Sequence, residues 1–193
     1  MAEHSKSEQP AASGAGPWLE RRYYLDVARP RLSPAQLMVQ IQADLPNFSP
    51  ELLADFKKRK GVQGEPLRVG DEFGIKILGP WNGSVRVTEV SATHFEFITL
   101  EGHPEAGRIR FEVHNLDERP GELRFEIKSW ARSRDGLVAF AYDTIGGGLL
   151  MQEATWSEFC HRVAQVSGGQ ALSEVTVETY KHDPDGSTKL KRS

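Results

Sequence analysis

Residues 108–128 read RIRFEVHNLDERPGELRFEIK. Ile109, Phe111 and Val113 alternate with Arg108, Arg110, Glu112 and His114. Leu123, Phe125 and Ile127 alternate with Arg124, Glu126 and Lys128. A period of two belongs to a strand with one dry face and one wet face. The polar connection between the two runs is short, so they read as antiparallel neighbours. The same alternation extends backwards along the chain. Phe95 and Phe97 alternate with His94 and Glu96, and Val85 and Val87 with Arg86 and Thr88. Within 71–78, Phe73, Ile75 and Ile77 alternate with Gly74 and Lys76. Pro80-Trp81-Asn82-Gly83 ends on Asn-Gly, a tight hairpin signal. Five consecutive strands of this kind make an antiparallel meander, and its dry face needs a cover.

The flanks supply that cover. Tyr23–Ala28 reads as a short first strand. Ser33-Pro34 is a capping residue followed by proline at the first helical position. Behind it Leu37, Met38, Ile41 and Leu45 follow helical spacing, and Pro46 ends the helix. The signal repeats at Ser49-Pro50, with Glu51 in a first turn, then Leu52, Leu53 and Phe56, and a stop at Gly61. Lys57, Lys58, Arg59 and Lys60 would then sit at the negative end of that second helix. In the last third, Asp135 can cap a helix through Leu137, Val138, Ala141, Tyr142 and Ile145. Gly146-Gly147-Gly148 must loosen it. Trp156, Phe159, Val163 and Val166 continue it at spacings of 3, 4 and 3, and Gly168-Gly169 ends it. Val175, Val177 and Thr179 suggest a final strand.

The expected fold class is therefore α+β: a curved antiparallel sheet gripped by a long C-terminal helix, with two short N-terminal helices. Residues 1–17 hold no Leu, Ile, Val or aromatic side chain and read as a disordered leader. Residues 18–180 form the domain, and 181–193 a polar tail with a turn at Asp185-Gly186. The chain has 193 residues, 38% of them apolar, and a net charge of -3. Bulk charge therefore gives no reason to expect a nucleic-acid partner. The basic tip at Lys189, Lys191 and Arg192 reads as a solvated end. No apolar run is long enough to span a membrane, and no secretory signal is present, so the expected location is cytoplasmic.

Three stretches carry a resemblance: Gly79-Pro80-Trp81-Asn82-Gly83, the loop Thr99-Leu100-Glu101-Gly102-His103-Pro104-Glu105-Ala106-Gly107, and Trp130-Ala131-Arg132-Ser133. They resemble an uncharacterised bacterial and plant family, a domain of unknown function with a GHPExG signature. That family is itself similar to the START-like (SRPBCC) helix-grip superfamily of polyketide cyclases and lipid-transfer domains. The resemblance implies a cavity between sheet and helix that holds an apolar or amphipathic small molecule, by analogy of fold.

The candidate site follows from both lines. Phe95, Phe97, Ile109, Phe111 and Phe125 occupy the dry face, where they either fill the core or line a pocket. Trp130, Tyr142 and Trp156 belong to the segments that enter and form the covering helix. His103 and Glu105 sit in a loop shaped by Gly102, Pro104 and Gly107, where they could meet a polar group at the cavity mouth. No catalytic residue is assigned. The rival is an enzyme of cyclase or hydrolase type that uses His103 and Glu105 as acid and base. A third reading is an interaction protein with a filled core. No cofactor and no metal is expected: the single cysteine, Cys160, and the scattered histidines match no ligand spacing.

Overall fold

The computed structural model describes residues 6–49, 54–62, 64–77, 82–136 and 147–193. In chain order the strands are β1 (Ala15–Ala28), β2 (Ala54–Lys60), β3 (Glu72–Ile77), β4 (Asn82–Val90) and β5 (His94–Thr99). They continue with β6 (Glu105–Asn115), β7 (Glu122–Ser133), β8 (Gln170–Ala171), β9 (Thr176–His182) and β10 (Thr188–Arg192). The helices are α1 (Pro34–Ala43), α2 (Leu45–Phe48) and α3 (Gly147–Ser167). The strands form one open antiparallel sheet in the order β10-β9-β1-β7-β6-β5-β4-β3-β2, with β8 also paired to β1. The chain is thus α+β.

The alternation acts through register. Phe111 lies between Phe95 on β5 and Ile127 on β7, and Leu25 on β1 faces Phe125. In-phase pairing puts these side chains on one face, where all five are fully or almost fully buried. Leu37, Met38 and Ile41 of α1, Leu45 and Phe48 of α2, and Phe159, Cys160 and Val163 of α3 close over them. Helix α1 starts where the serine and proline say it should. The Ser33 hydroxyl accepts from the Gln36 amide at 3.3 Å, and the Gln36 side chain accepts from the Ser33 amide at 2.9 Å. This reciprocal cap satisfies two amides that a helix start leaves open.

The other face is a lattice of cross-strand charges. Glu126 takes Arg22 at 2.6 Å and Lys128 at 2.9 Å, and Glu178 takes Arg22 at 3.2 Å. Asp26 is gripped by Arg124 at 2.7 Å and by Arg119. Burial pushes the Asp26 carboxyl up, but the hydrogen bonds from the two arginines prevail and hold it below the ordinary range. Partly exposed pairs of this kind contribute about 0–1 kcal/mol each. Their main effect is to fix which side of each strand stays wet.

Several expectations need correction. Residues 54–60, expected inside a second helix, are strand β2, paired with β3 through Phe56–Ile75 and Lys58–Phe73. The second helix is instead α2, earlier in the chain. In the strand Lys58 pairs with Asp71 at 2.8 Å. Residues 50–53 lie outside the described residues. Asn82 and Gly83 are not the centre of a turn: they pair with Lys76 and Ile75 inside the ladder. Residues 78–81, including Pro80 and Trp81, lie outside the described residues. The helix segment at 137–146, with Tyr142, Ile145 and Gly146, does too. Gly147 and Gly148 are the first described residues of α3.

Both expected tails carry paired backbone. Strand β1 starts at Ala15, and Glu8 bridges to Leu100. At the other end Asp185-Gly186 does turn, but it joins β9 to β10, so residues 188–192 extend the sheet. The two sheet edges are β2, with Lys57, Lys58, Arg59 and Lys60, and β10, with Lys189, Lys191 and Arg192. Cationic edge strands resist edge-to-edge association.

Candidate functional site

The loop from β5 to β6 is built by close approaches. Gly102 adopts φ +90°, a turn conformation that side chains disfavour. A side chain on Gly107 would put Cβ 2.1 Å from the Trp130 carbonyl oxygen, so only glycine lets β6 and β7 meet there. The Thr99 hydroxyl lies 3.0 Å from the Gly107 amide, which donates to it. Gln9 staples the loop from outside. Its side-chain amide donates to the carbonyls of His103 and Glu105, both at 2.9 Å, and its side-chain oxygen accepts from the Gly102 amide at 3.2 Å.

His103 is buried beneath this staple. Its Nδ1 lies 3.0 Å from both the main-chain nitrogen and the main-chain oxygen of Glu105. Burial pushes the imidazole below its ordinary range, so the ring is neutral at pH 7. The ring rests on Gly83, where an added Cβ would come within 2.2 Å of it. Gly83→Ala is accordingly expected to lose about 1–3 kcal/mol by overpacking. Urea unfolding of the single variants and of Gly83→Ala/His103→Ala measures this. The double variant should lose less than the sum of the singles, because the clash needs both groups. Strict additivity would mean that the ring does not sit on Gly83.

The Glu105 side chain turns to the interior. Its carboxylate meets Arg21 of β1 at 2.9 Å, and Arg21 also donates to the Gln152 side-chain oxygen of α3 at 2.6 Å. The Arg21 side chain is only 3% exposed and that of Glu105 15%. Burial pushes the Glu105 carboxyl up, but the Arg21 charge and hydrogen bond outweigh it and keep the group low, hence ionised. Two residues along β1, on the same face, lies Tyr23. Its side chain is fully buried between the register partners Ile127 and Val177, and among the described residues its hydroxyl has no hydrogen-bond partner. Burial drives the phenol far above its ordinary range, so it is protonated. Cys160 on α3 is fully buried as well, and burial likewise pushes its thiol up. Among the described residues this end of the grip therefore brings together a compensated ion pair, an amide and a buried hydroxyl without a partner.

The expected site residues divide into groups. Phe95, Phe97, Phe111 and Phe125 come together as a ring cluster. Phe95 stacks on Phe111 at 4.7 Å and Phe125 stacks on Phe159 at 5.7 Å. Trp156 joins edge-on to Phe111 at 5.6 Å, and Ile109 packs at the margin. Trp130 is not with them. Its β7 neighbours Ser129 and Ala131 face inward, while its own side chain lies under the Arg108 guanidinium at 5.0 Å on the charged face. Tyr142 lies outside the described residues. His103 and Glu105 flank Pro104 but separate in role, one ring nitrogen going to main chain and the carboxylate to Arg21. Arg21, Tyr23 and Gln152 were missed. The available signal was an arginine in phase with Tyr23, Leu25 and Val27, which is where an inward charge must find a partner. Among the described residues no group of three His, Cys, Asp or Glu side chains could hold a metal ion. Among them, too, no helix is long and apolar enough to cross a membrane.

A family model described as a domain of unknown function (DUF1990) matches residues 50–162. No curated protein matches the sequence. Solved structures match the fold. A conserved protein from Geobacillus kaustophilus superposes with a TM-score of 0.50 at 12% identity, over 79% of this chain and 98% of its own. A hypothetical protein from Helicobacter pylori gives 0.51 at 12%, over 74% and 86%. Norcoclaurine synthase from Thalictrum flavum gives 0.51 at 11%, over 86% and 96%. These likenesses establish a helix-grip-like, START-type fold and no more.

Proposed function

We propose that this chain, which belongs to the DUF1990 family, binds an amphipathic small molecule without transforming it, at the end of the grip marked by Arg21, Tyr23, Glu105 and Gln152. The observation that carries the reading is the Tyr23 hydroxyl, fully buried and without a partner among the described residues. Leaving such a group unsatisfied costs about 1–3 kcal/mol, so its place in a buried polar cluster calls for an occupant that satisfies it. The GHPE loop forms one wall of the site through Glu105, which also gives the resemblance at residues 102–107 a physical role. The acid–base reading of His103 and Glu105 loses support. The carboxylate pairs with Arg21 at 2.9 Å and the ring's Nδ1 meets the Glu105 main chain, so the hydrogen bonds of the two side chains do not run to one another.

Mass spectrometry of an organic extract of the purified protein, together with backbone amide NMR during addition of decanol, tests the reading. A co-purifying amphiphile, or saturable shifts at Arg21, Tyr23 and Gln152, is expected. An empty extract with no shifts at those amides would sink the proposal. Tyr23→Phe should leave the stability of the free protein unchanged or raise it by up to about 1 kcal/mol, because it removes a group that the free chain leaves unsatisfied. A loss above that range in urea unfolding would show that the hydroxyl already has a partner.

A further inference from the structure

We infer that the molecule bound at this end is uncharged, an apolar body ending in one hydroxyl or carbonyl oxygen, and is neither an acid nor an amine. The inference rests on the proposed binding site and specifies its ligand class. The charges around the Tyr23 hydroxyl are already matched. Arg21 and Glu105 neutralise one another at 2.9 Å in a nearly solvent-free setting, and Gln152 adds a neutral amide at 2.6 Å from Arg21. Glu153, the next acidic group on α3, pairs with Lys191 of β10 at 3.9 Å. Cys160 adds a buried neutral thiol. Among the described residues no free counter-charge meets a carboxylate or ammonium head group in this setting, and an uncompensated buried charge is strongly disfavoured. The Tyr23 hydroxyl, by contrast, can donate to a carbonyl, or both donate to and accept from a hydroxyl. Its neighbours across the ladder, Ile127 and Val177, and the Phe159–Cys160 stretch of the same core cluster are apolar and buried with it, which suits an apolar body and not a second polar group.

Three probes of equal chain length separate the possibilities: decanol, decanoate and decylammonium. Each is titrated at neutral pH into the full chain and into Tyr23→Phe. Dissociation constants are read from the amide shifts of Arg21, Gln152 and the residue at position 23. Decanol is expected to bind about tenfold or more tighter than either ion. Tyr23→Phe is expected to weaken decanol by about tenfold, the loss of one buried hydrogen bond, and to erase its advantage. Equal or tighter binding of decanoate or decylammonium overturns the inference and leaves the binding site standing. A decanol preference that survives Tyr23→Phe overturns the role given to the hydroxyl. If none of the three shifts those amides, the site itself is refuted, and the inference with it.

Discussion

Arg21→Met is expected to destabilise the folded chain by about 3–5 kcal/mol, the cost of leaving a buried partner uncompensated. The partner is Glu105, whose carboxylate meets Arg21 at 2.9 Å with both side chains largely out of water. Arg21→Met/Glu105→Gln removes both charges and should recover much of the loss, since replacing a whole buried pair is often close to neutral. The pH dependence separates this cause from lost packing. In the native chain the Glu105 carboxyl lies below its ordinary value, because Arg21 outweighs burial. Its contribution is therefore present above the unfolded carboxyl pKa of about 4.3 and is lost as pH falls through the folded value. Without Arg21, burial is opposed only by the smaller pulls of His103 and Gln152, and the carboxyl rises. The folded variant then binds a proton more readily than the unfolded chain does. The stability gap between variant and native chain should narrow as pH falls from about 7 to about 5. Urea unfolding at the two pH values gives the answer. A gap that stays constant or widens would falsify the buried-pair account.

What could be read in advance divides along a physical line. Strands β3 to β7 were legible because one face is wet and the other dry, and burial imposes the period directly on residues such as Ile109, Phe111 and Val113. The start of α1 was legible because Ser33 and Pro34 act locally. Strand β2 was not. Its Ser-Pro prelude reads as a helix start, whereas the strand is defined by its ladder with β3, a pairing with no signal inside residues 54–60. The site was half legible. Glu105 stood out through its glycine-shaped loop. Arg21 did not, because its meaning depends on a loop 84 positions away and a helix 131 positions away. Such a pairing leaves no local trace beyond an arginine in an apolar phase. Trp130 illustrates the converse. Its residue type suggested a pocket, but a single step of strand parity places it on the charged face beside Arg108.

Phe111→Ala decides whether the aromatic cluster fills the grip or lines an open space. Phe111 touches four rings: Phe95 at 4.7 Å, Phe159 at 5.3 Å, Trp156 at 5.6 Å and Phe97 at 5.9 Å. These rings come from β5 and α3, so Phe111 on β6 joins the middle of the sheet to its cover. A side chain that only lined open space would meet few atoms on one side, and its truncation would enlarge that space at little cost. A side chain packed on all sides loses its transfer energy and leaves a cavity, together about 3–5 kcal/mol for phenylalanine. The ring contacts place Phe111 in the second class. For a chain of this length that loss lowers the melting temperature by roughly 6–20 °C. The new cavity is apolar, so it should stay dry and accept benzene, which would restore part of the lost stability. Trp130→Ala, on the outer face, should cost less and show no benzene effect. Thermal unfolding with and without benzene compares the two. If Phe111→Ala melts within a few degrees of the native chain, the cluster lines a space that already exists. If it melts far lower and benzene rescues it, the rings are the core, and the ligand is confined to the polar end beside Tyr23.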